Sequence, residues 1–361
     1  MLLAASAVVL MISVAIRSRS VILSRRGGNF SSVLRMSSTR FPAFLDDEMK
    51  ATPSSMLDSV KDKLVKLYPV DVTPSAEIVH RQAGDYYLPV YCYFKYLLQK
   101  KKKSGGRGPL FVGISAPQGS GKTTLTDLMQ ALLSEHDQVD ATIMSLDDFY
   151  LTADDQAALR TKHADNKLLE LRGNAGSHDM PLMMNTLKDL GEDGNKVSVP
   201  RYDKSINNGR GDRAPKGQWV QVDEAPVIVL FEGWMLGFDA LPSTEVEEGS
   251  NIATVNQYLS GYDSLHAVFD GWLIIGLTSM DLVYKWREHA EKAMRARGKG
   301  GMTEEEVKDF VDRYMPAYEH YLPGLYKAGP GGRKKSTDGN SVDALIVTID
   351  ENRMPVSVKA L

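Results

Sequence analysis

The chain has 361 residues, 43% hydrophobic and 25% charged, with a formal net charge of −3 and a single cysteine, Cys92. That length exceeds one average domain and suits a single enlarged α/β domain with appendages. The slightly acidic balance argues against a general nucleic-acid-binding surface, and one cysteine excludes both an internal disulfide and a cysteine-cluster metal site.

Residues 1 to about 45 differ in kind from the rest. Up to Leu45 there is no Asp, Glu or Lys, while Arg17, Arg19, Arg25, Arg26, Arg35 and Arg40 are scattered among serines. That is the composition of an organelle transit peptide, expected to be disordered and to lie outside the fold. An apolar run from Leu2 to Ile16 precedes the arginines and looks like a signal-peptide core. At about 15 residues it is shorter than the roughly 20 a bilayer span requires. The two features in series suit bipartite import into a complex plastid or a hydrophobic mitochondrial presequence; a membrane anchor is the other alternative.

From Phe44 to about Lys103 the pattern is helical, so residues 46–104 are expected to form a helical extension packing on a core domain at 105–361. Met56, Val60, Leu64 and Leu67 recur at three or four residues and end at Tyr68-Pro69. The aromatic stretch Tyr86 to Leu98 reads as core, and Lys100 to Lys103 followed by Ser104-Gly105-Gly106 as a solvated linker.

The apolar run Leu110 to Ile114 then enters a small-residue loop, Ser115-Ala-Pro-Gln-Gly-Ser-Gly-Lys-Thr-Thr124, and leaves as a helix with Leu125, Leu128, Met129, Leu132 and Leu133 on one face. Strand, glycine-rich turn and amphipathic helix are the context a phosphate-binding loop needs. Pro117, Gln118, Gly119, Ser120, Gly121, Lys122, Thr123 and Thr124 are the expected ATP-binding residues. Glycines at 119 and 121 let backbone N–H groups turn inward onto phosphate oxygens, and the helix N-terminus adds partial positive charge. Lys122 reaches the β- and γ-phosphates and the Thr123 hydroxyl holds Mg²⁺. Ala116 stands where the pattern usually has its first glycine, so the backbone there must take an angle alanine adopts.

Ala141 to Leu146 is a short strand that ends in Asp147-Asp148-Phe149-Tyr150. Carboxylates just past a parallel strand lie at the sheet edge where open α/β folds bind ligands, although Asp also caps helices and Leu151 to Leu159 suits one. Leu168 to Asn195 reads as helix and turn. Gly191 to Gly217 is a long loop centred on Pro200-Arg201-Tyr202-Asp203-Lys204-Ser205, and its mixture of charges with an aromatic suggests a substrate loop. Val227 to Phe231 is a buried parallel strand that places Glu232 as a Mg²⁺-binding carboxylate. Trp272 to Thr278 is another strand. Met280 to Arg297 is a helix carrying Lys285, Arg287, Lys292, Arg295 and Arg297, most of them on a solvated face. Thr303-x-x-Glu306 forms a capping box opening the next helix, and Leu345 to Ile349 supplies the last strand. The seven histidines show no metal-site spacing or nucleophile pairing and are assigned no role.

Phosphoryl transfer to a hydroxyl requires positioning, charge neutralisation and a base within reach, and Asp147 is the natural base. No Asn-Lys-x-Asp occurs, which disfavours a guanine-specific GTPase. Residue type and spacing alone reach an ATP-dependent small-molecule kinase.

Ser115 to Thr124, Ser145-Leu-Asp-Asp-Phe-Tyr-Leu151, Pro200 to Ser205 and Phe231-Glu-Gly-Trp234 occur in the order and wording of the plant-type D-glycerate 3-kinase family. So do Trp286-Arg287, Gly301-Met302-Thr303 and Tyr314-Met-Pro-Ala-Tyr318-Glu-His-Tyr-Leu-Pro323. The chain resembles that family over roughly residues 50 to 350, within a wider group that includes uridine kinase, phosphoribulokinase and bacterial pantothenate kinase. The resemblance implies a three-layer P-loop NTPase fold with helices on both faces of a parallel sheet. It implies ATP and Mg²⁺ as cofactors, D-glycerate as acceptor and 3-phosphoglycerate as the photorespiratory product. Asp147 then inherits the base role, with Lys122 and Glu232 beside it as catalytic residues. Asp148, Tyr150, Arg201, Tyr202, Asp203 and Lys204 are the expected acceptor-binding residues. Arg287 and Arg295 fall in or near a lid over the phosphates. A chloroplast is the expected location and a mitochondrion the alternative, with a monomer free of nucleic acid and of stable membrane association after processing. An ATP binder without glycerate turnover, or a kinase for another small hydroxylated metabolite, remains the alternative.

A chain beginning near Phe41 is expected to be soluble and fully active, because the targeting-like segment shares no pattern with the core. Expression and specific activity of that truncation check this; loss of folding would assign the apolar run to the domain.

Overall fold

The computed structural model describes residues 41–68, 74–192, 194–296, 302–331 and 343–361. The targeting-like segment up to residue 40 lies outside the described residues. So do the glycine-containing stretch Gly298 to Gly301, which the sequence reads as a break in the chain, and most of the glycine- and lysine-rich stretch Gly329 to Gly339, which it reads as a loop.

A central sheet organises everything else. Its strands are β1 (Leu110–Ser115), β2 (Ala141–Ser145), β7 (Ile228–Gly233), β8 (Gly271–Leu277), β9 (Asp343–Ile349) and β10 (Pro355–Ala360), in the order β10-β9-β8-β1-β7-β2. The first five in chain order run parallel and β10 returns antiparallel along β9. Every residue of β1 and β8 is buried. Continuous apolar strands of this kind are stable only with both faces covered, which is why their sequences do not alternate. Four short strands form two small hairpins off the sheet: β3 (Val197–Val199) with β6 (Val220–Val222), and β4 (Tyr202–Asp203) with β5 (Asp212–Arg213). The stretch read as one long loop is therefore folded into ladders that fix its tip.

The helices are α1 (Asp46–Ala51), α2 (Ser55–Leu67), α3 (Ala76–Gln82), α4 (Leu88–Lys103), α5 (Lys122–Asp137), α6 (Ala153–Lys162), α7 (Met180–Leu190), α8 (Asn251–Leu259), α9 (Asp263–His266), α10 (Asp281–Ala296), α11 (Glu304–Asp312) and α12 (Met315–Ala328). A π-turn at Ala83–Tyr87 joins α3 to α4. The aromatic stretch of α4 is core, as its composition implies: Tyr91, Tyr93 and Phe94 are fully buried. The Tyr93 hydroxyl lies 3.1 Å from the carbonyls of both Trp272 and Asp343, tying the helix to β8 and β9.

Two expectations change. Lys100 to Lys103 is the last turn of α4 and not a linker: Lys100 pairs with Asp343 at 2.6 Å and Lys101 with Asp270 at 2.8 Å. Cations also suit the negative end of a helix, and Asp270 in turn accepts the Phe111 N–H at 2.9 Å, so this turn anchors the start of β1. Leu345 to Ile349 is not the last strand either. The chain reverses at Asp350–Arg353, where the Asp350 carboxylate accepts the N–H groups of Asn352 and Met354, both at 2.9 Å, and β10 follows. As an edge strand with a leading proline and one apolar face, β10 carries a weak sequence signal.

The turn after β7 is held from behind by a buried imidazole. His266 Nε2 accepts the Gly237 N–H at 2.9 Å. Burial holds His266 down to about 3 and His178, beside the cleft, to about 4. The unfolded chain takes up these protons near 6.5, so between those values it binds more protons than the folded chain. Stability is thus full above about pH 6.5 and falls as pH drops, by about 2 kcal/mol per histidine at pH 5. Denaturation midpoints at pH 7 and pH 5 should show this loss. His266→Gln should be less stable at pH 7 but less sensitive to the change of pH, and an unchanged sensitivity would remove His266 from the account.

Candidate active site

Parallel register brings the predicted groups to one edge of the sheet. Ser115 pairs with Gly233, and Glu232 stands level with Ile114 on one side and Ser145 on the other. The loop after β1, the end of β7 and the turn after β2 therefore open into one cleft.

The loop has the conformation its glycines permit. Gly119 and Gly121 sit at φ +80° and +94°, in the left-handed region that favours glycine. A Cβ on Gly119 would also come within 2.8 Å of Trp286 Cβ. Ala116 is absent from the positive-φ positions, so alanine is unstrained there. Its N–H donates to the Gly233 carbonyl at 3.1 Å, pinning the loop's entry to β7. Ser120 closes the turn with its hydroxyl on the Pro117 carbonyl at 2.7 Å. Lys122 opens α5, and its Nζ lies 3.0 Å from the Ala116 carbonyl and 3.3 Å from that of Pro117. Thr123 is exposed beside it and Thr124 half-buried.

The loop is braced from outside by residues that the sequence reading did not single out for this purpose. The Gln118 N–H donates to the Tyr318 hydroxyl of α12 at 3.1 Å. Arg353, in the turn before β10, donates to the Gly119 carbonyl at 2.8 Å, and its guanidinium lies 4.6 Å from the ring centre of Trp286. Tyr68 and Tyr87 from the N-terminal helices, with Gly121, Thr124, His289 and Arg353, line a cavity of about 390 Å³ next to the first turn of α5. Periodicity marks these aromatics only as core, since a chain pattern carries no information about which loop they meet.

Three charged groups face each other across the cleft. Burial pulls the Lys122 ammonium below its usual pKa, against the carboxylates of Glu232 and Asp147. Burial likewise raises Glu232, partly offset by Lys122 and by a hydrogen bond from Ser145. For Asp147 burial also works upward, but the ammonium of Lys204, the Tyr150 hydroxyl and Lys122 together outweigh it and hold the carboxyl below the usual range. The Tyr150 hydroxyl donates to Asp147 Oδ1 at 2.8 Å, and Lys204 Nζ donates to Oδ2.

Asp147 and Asp148 diverge, though not by the alternation of a strand. β2 ends at Ser145, and Leu146–Phe149 is a 3₁₀ turn in which the Ser145 hydroxyl accepts the Asp147 N–H. Asp148 turns to the substrate-loop candidate instead. Its Oδ2 pairs with Arg201 at 2.9 Å and its Oδ1 accepts the Tyr202 N–H at 3.2 Å. Burial raises its pKa against Arg201. Both oxygens of Asp148 are thus engaged in holding Arg201-Tyr202 against the turn. Tyr202 meets Tyr150 edge to face at 5.3 Å. Asp203 is not brought into the cleft: its Oδ1 accepts the Ser205 N–H at 2.8 Å and hydroxyl at 2.6 Å.

The two lid candidates separate. Arg287 pairs with the buried Glu291 at 2.6 Å, and its guanidinium lies 4.6 Å from the Phe310 ring centre. It is near enough to Tyr314 to lower that hydroxyl's pKa, against the larger effect of burial. Arg295 lies on the exposed last turn of α10, donating to the Met302 carbonyl.

Two residues that the sequence left without a role line the cleft. His178 stacks on Tyr150 at 4.7 Å between ring centres, with Nδ1 bonded to the Tyr262 hydroxyl at 2.7 Å. Arg172 lies over the Tyr202 ring at 5.5 Å. Neither belongs to a local motif; tertiary folding brings them there.

Residues 111–255 match the model of the phosphoribulokinase/uridine kinase family. The chain is 46% identical over 280 residues to the chloroplastic D-glycerate 3-kinase of Arabidopsis thaliana, a match covering 75% of this chain and 60% of that protein. It is 37% identical over 273 residues to the uncharacterized kinase mug58 of Schizosaccharomyces pombe, covering 72% of this chain and 94% of the relative. Among solved structures, D-glycerate 3-kinase from Cryptococcus neoformans superimposes with a TM-score of 0.68 at 32% identity, covering 76% of this chain and 99% of that one. Near-complete coverage of the two fungal kinases at more than 30% identity, together with a site built on the loop from β1 to α5, makes the chain a member of the phosphoribulokinase/uridine kinase family.

Proposed function

We propose that the chain transfers the γ-phosphoryl group of ATP to D-glycerate, giving 3-phosphoglycerate and ADP. The observation that carries this reading is the meeting of Lys122, Asp147 and Glu232 at the mouth of one glycine-rich loop. It is supported by the D-glycerate 3-kinase names of the Arabidopsis and Cryptococcus relatives.

The backbone N–H groups of the loop and the first turn of α5 receive the phosphates. Lys122, turned onto the Ala116 and Pro117 carbonyls, swings to the β- and γ-oxygens. The purine occupies the cavity beyond Thr124, between the Tyr68 and Arg353 side chains that line it. The Thr123 hydroxyl and Glu232 would hold Mg²⁺, directly or through water. An all-oxygen donor set with few carboxylates suits an ion that keeps its water and binds mainly through substrate phosphates, and no group of three potential ligand residues occurs among the described residues. When bound, the ion neutralises charge on the β- and γ-oxygens.

Asp147 takes the proton of the acceptor hydroxyl. A carboxyl held below its usual range by Lys204, Tyr150 and Lys122 despite burial is ionised at neutral pH. The acceptor hydroxyl displaces Lys204 from Oδ2, leaving that ammonium beside the transferring group. Asp148 keeps Arg201 and Tyr202 in register with the cleft. The same reading assigns residues 1 to about 45 to plastid import, supported by their arginine-rich, acid-free composition and by the chloroplastic name of the Arabidopsis relative; import into a mitochondrion is the alternative.

ATP consumption with and without D-glycerate tests the activity: turnover that does not depend on glycerate would set the reading aside. Lys122→Ala should abolish turnover while circular dichroism and the unfolding midpoint stay near those of the unaltered chain. A variant retaining most of the rate would remove the phosphate-loop assignment.

The two aspartates should separate kinetically. Loss of a positioned general base typically costs about 10²–10⁴ in rate, so Asp147→Asn should depress kcat by that order with the KM for ATP nearly unchanged. Asp148→Asn should be clearly milder in kcat and should raise the KM for glycerate, because it releases Arg201 and Tyr202. The reverse ranking would exchange their roles.

A further inference from the structure

The arginines around the cleft are not equivalent. Arg201 is neutralised by Asp148, Arg213 by Asp179, Arg287 by Glu291 and Arg313 by Asp309. Arg172 has no carboxylate partner among the described residues; its Nη1 donates to the carbonyls of Gly209, at 3.0 Å, and Arg210. A carbonyl oxygen carries only partial charge, so this half-buried guanidinium keeps most of its positive field, with other N–H donors uncommitted to those two bonds.

Its position is set by the wall behind it. The Gly173 carbonyl accepts the Trp234 indole N–H at 3.2 Å, and a Cβ on Gly173 would come within 2.6 Å of the Tyr314 ring. Arg172 lies over Tyr202, and Tyr202 meets the edge of Tyr150, whose hydroxyl is on Asp147. The guanidinium is thus linked to the proposed base through two tyrosine rings, Tyr202 and Tyr150, and borders the acceptor side of the cleft. Its charge is felt at both Tyr150 and Tyr314.

We infer that Arg172 receives the carboxylate of the acceptor and so decides which end of that small acid faces Asp147. This rests on the glycerate reading above. On the acceptor side of the cleft a hydroxy acid meets the Asp147 carboxylate and the Arg172 guanidinium. The Asp147 carboxylate repels its carboxylate and accepts its hydroxyl, while Arg172 does the opposite. A planar guanidinium also matches a carboxylate by paired, parallel hydrogen bonds. Lys204 is the other nearby cation, but it is exposed and, once displaced from Asp147 by the acceptor hydroxyl, stands beside the transferring group. A flexible ammonium, moreover, orients a carboxylate less well than a fork.

The test is steady-state kinetics of the full chain with Arg172→Gln and Arg172→Lys, varying D-glycerate and ATP separately. A lost charge-assisted pair should raise the KM for glycerate by about 10- to 100-fold in Arg172→Gln. The lysine variant should recover part of that, and the KM for ATP should stay within about twofold. D-glyceramide, of the same shape but uncharged, should compete against glycerate far less well than the acid in the unaltered chain and about equally in Arg172→Gln. An unchanged KM for glycerate, or a parallel loss of ATP and glycerate binding, would overturn the assignment while leaving the kinase reading intact. Absence of glycerate turnover in the unaltered chain would remove both.

Discussion

Three half-buried charges gathered in one cleft are the constraint on which this structure depends. Lys122, Glu232 and Asp147 each lose hydration where they sit. The two carboxylates support the ammonium, the ammonium supports both carboxylates, and Lys204 and Tyr150 add to the support of Asp147 against Glu232. The sheet supplies the geometry for this compensation. Its central strand β1 lies in parallel register with β7, and β7 with β2, so the three groups come off neighbouring strand ends at the same level. Packing of the apolar strands thus dictates where charge gathers.

The loop between β1 and α5 needs further support, because a run of small residues does not by itself hold an open cradle. Its backbone is gripped at Gln118 by Tyr318 and at Gly119 by Arg353, with Trp286 filling the space that a side chain at 119 would need. These braces come from α12, the turn before β10, and α10. The N-terminal helices join the same support. Tyr68 donates to Gln82, and Gln82 donates to the Asn352 carbonyl in the turn that carries Arg353. The helical extension is therefore connected to the phosphate loop through one turn, and its aromatic surface serves the cavity beside α5 as well as the core.

Division of labour between adjacent aspartates follows from a single 3₁₀ turn. Had β2 continued, its pleat would have aimed Asp147 and Asp148 at opposite faces of the sheet. The turn instead keeps both at the cleft rim and fans them apart, one toward Lys204 and Tyr150, the other toward Arg201 and the Tyr202 N–H. Asp203, which shares the hexamer from Pro200 to Ser205 with Arg201 and Lys204, spends its carboxylate on Ser205. Proximity in the chain did not predict this, because hairpin pairing with Asp212 sets the direction of each side chain.

The sequence by itself determined the sheet's principal strands, the phosphate loop with its helix, and the placement of Lys122, Asp147 and Glu232 at the loop and the strand ends. Each is written in local terms: an apolar run, a turn composition, an acid at a strand end. Local signals of this kind are strong because strand burial, left-handed glycine turns and helix starts are settled within a few neighbouring residues. Tertiary structure alone decided the rest. It turned the Lys100 to Lys103 run into a helix end facing Asp270 and Asp343. It added β10, and it seated His178 on Tyr150. It left Arg172, on a loop with no motif, without a neutralising acid among the described residues. Those outcomes depend on which distant groups meet, and charge pairing and ring stacking leave no periodic trace along the chain.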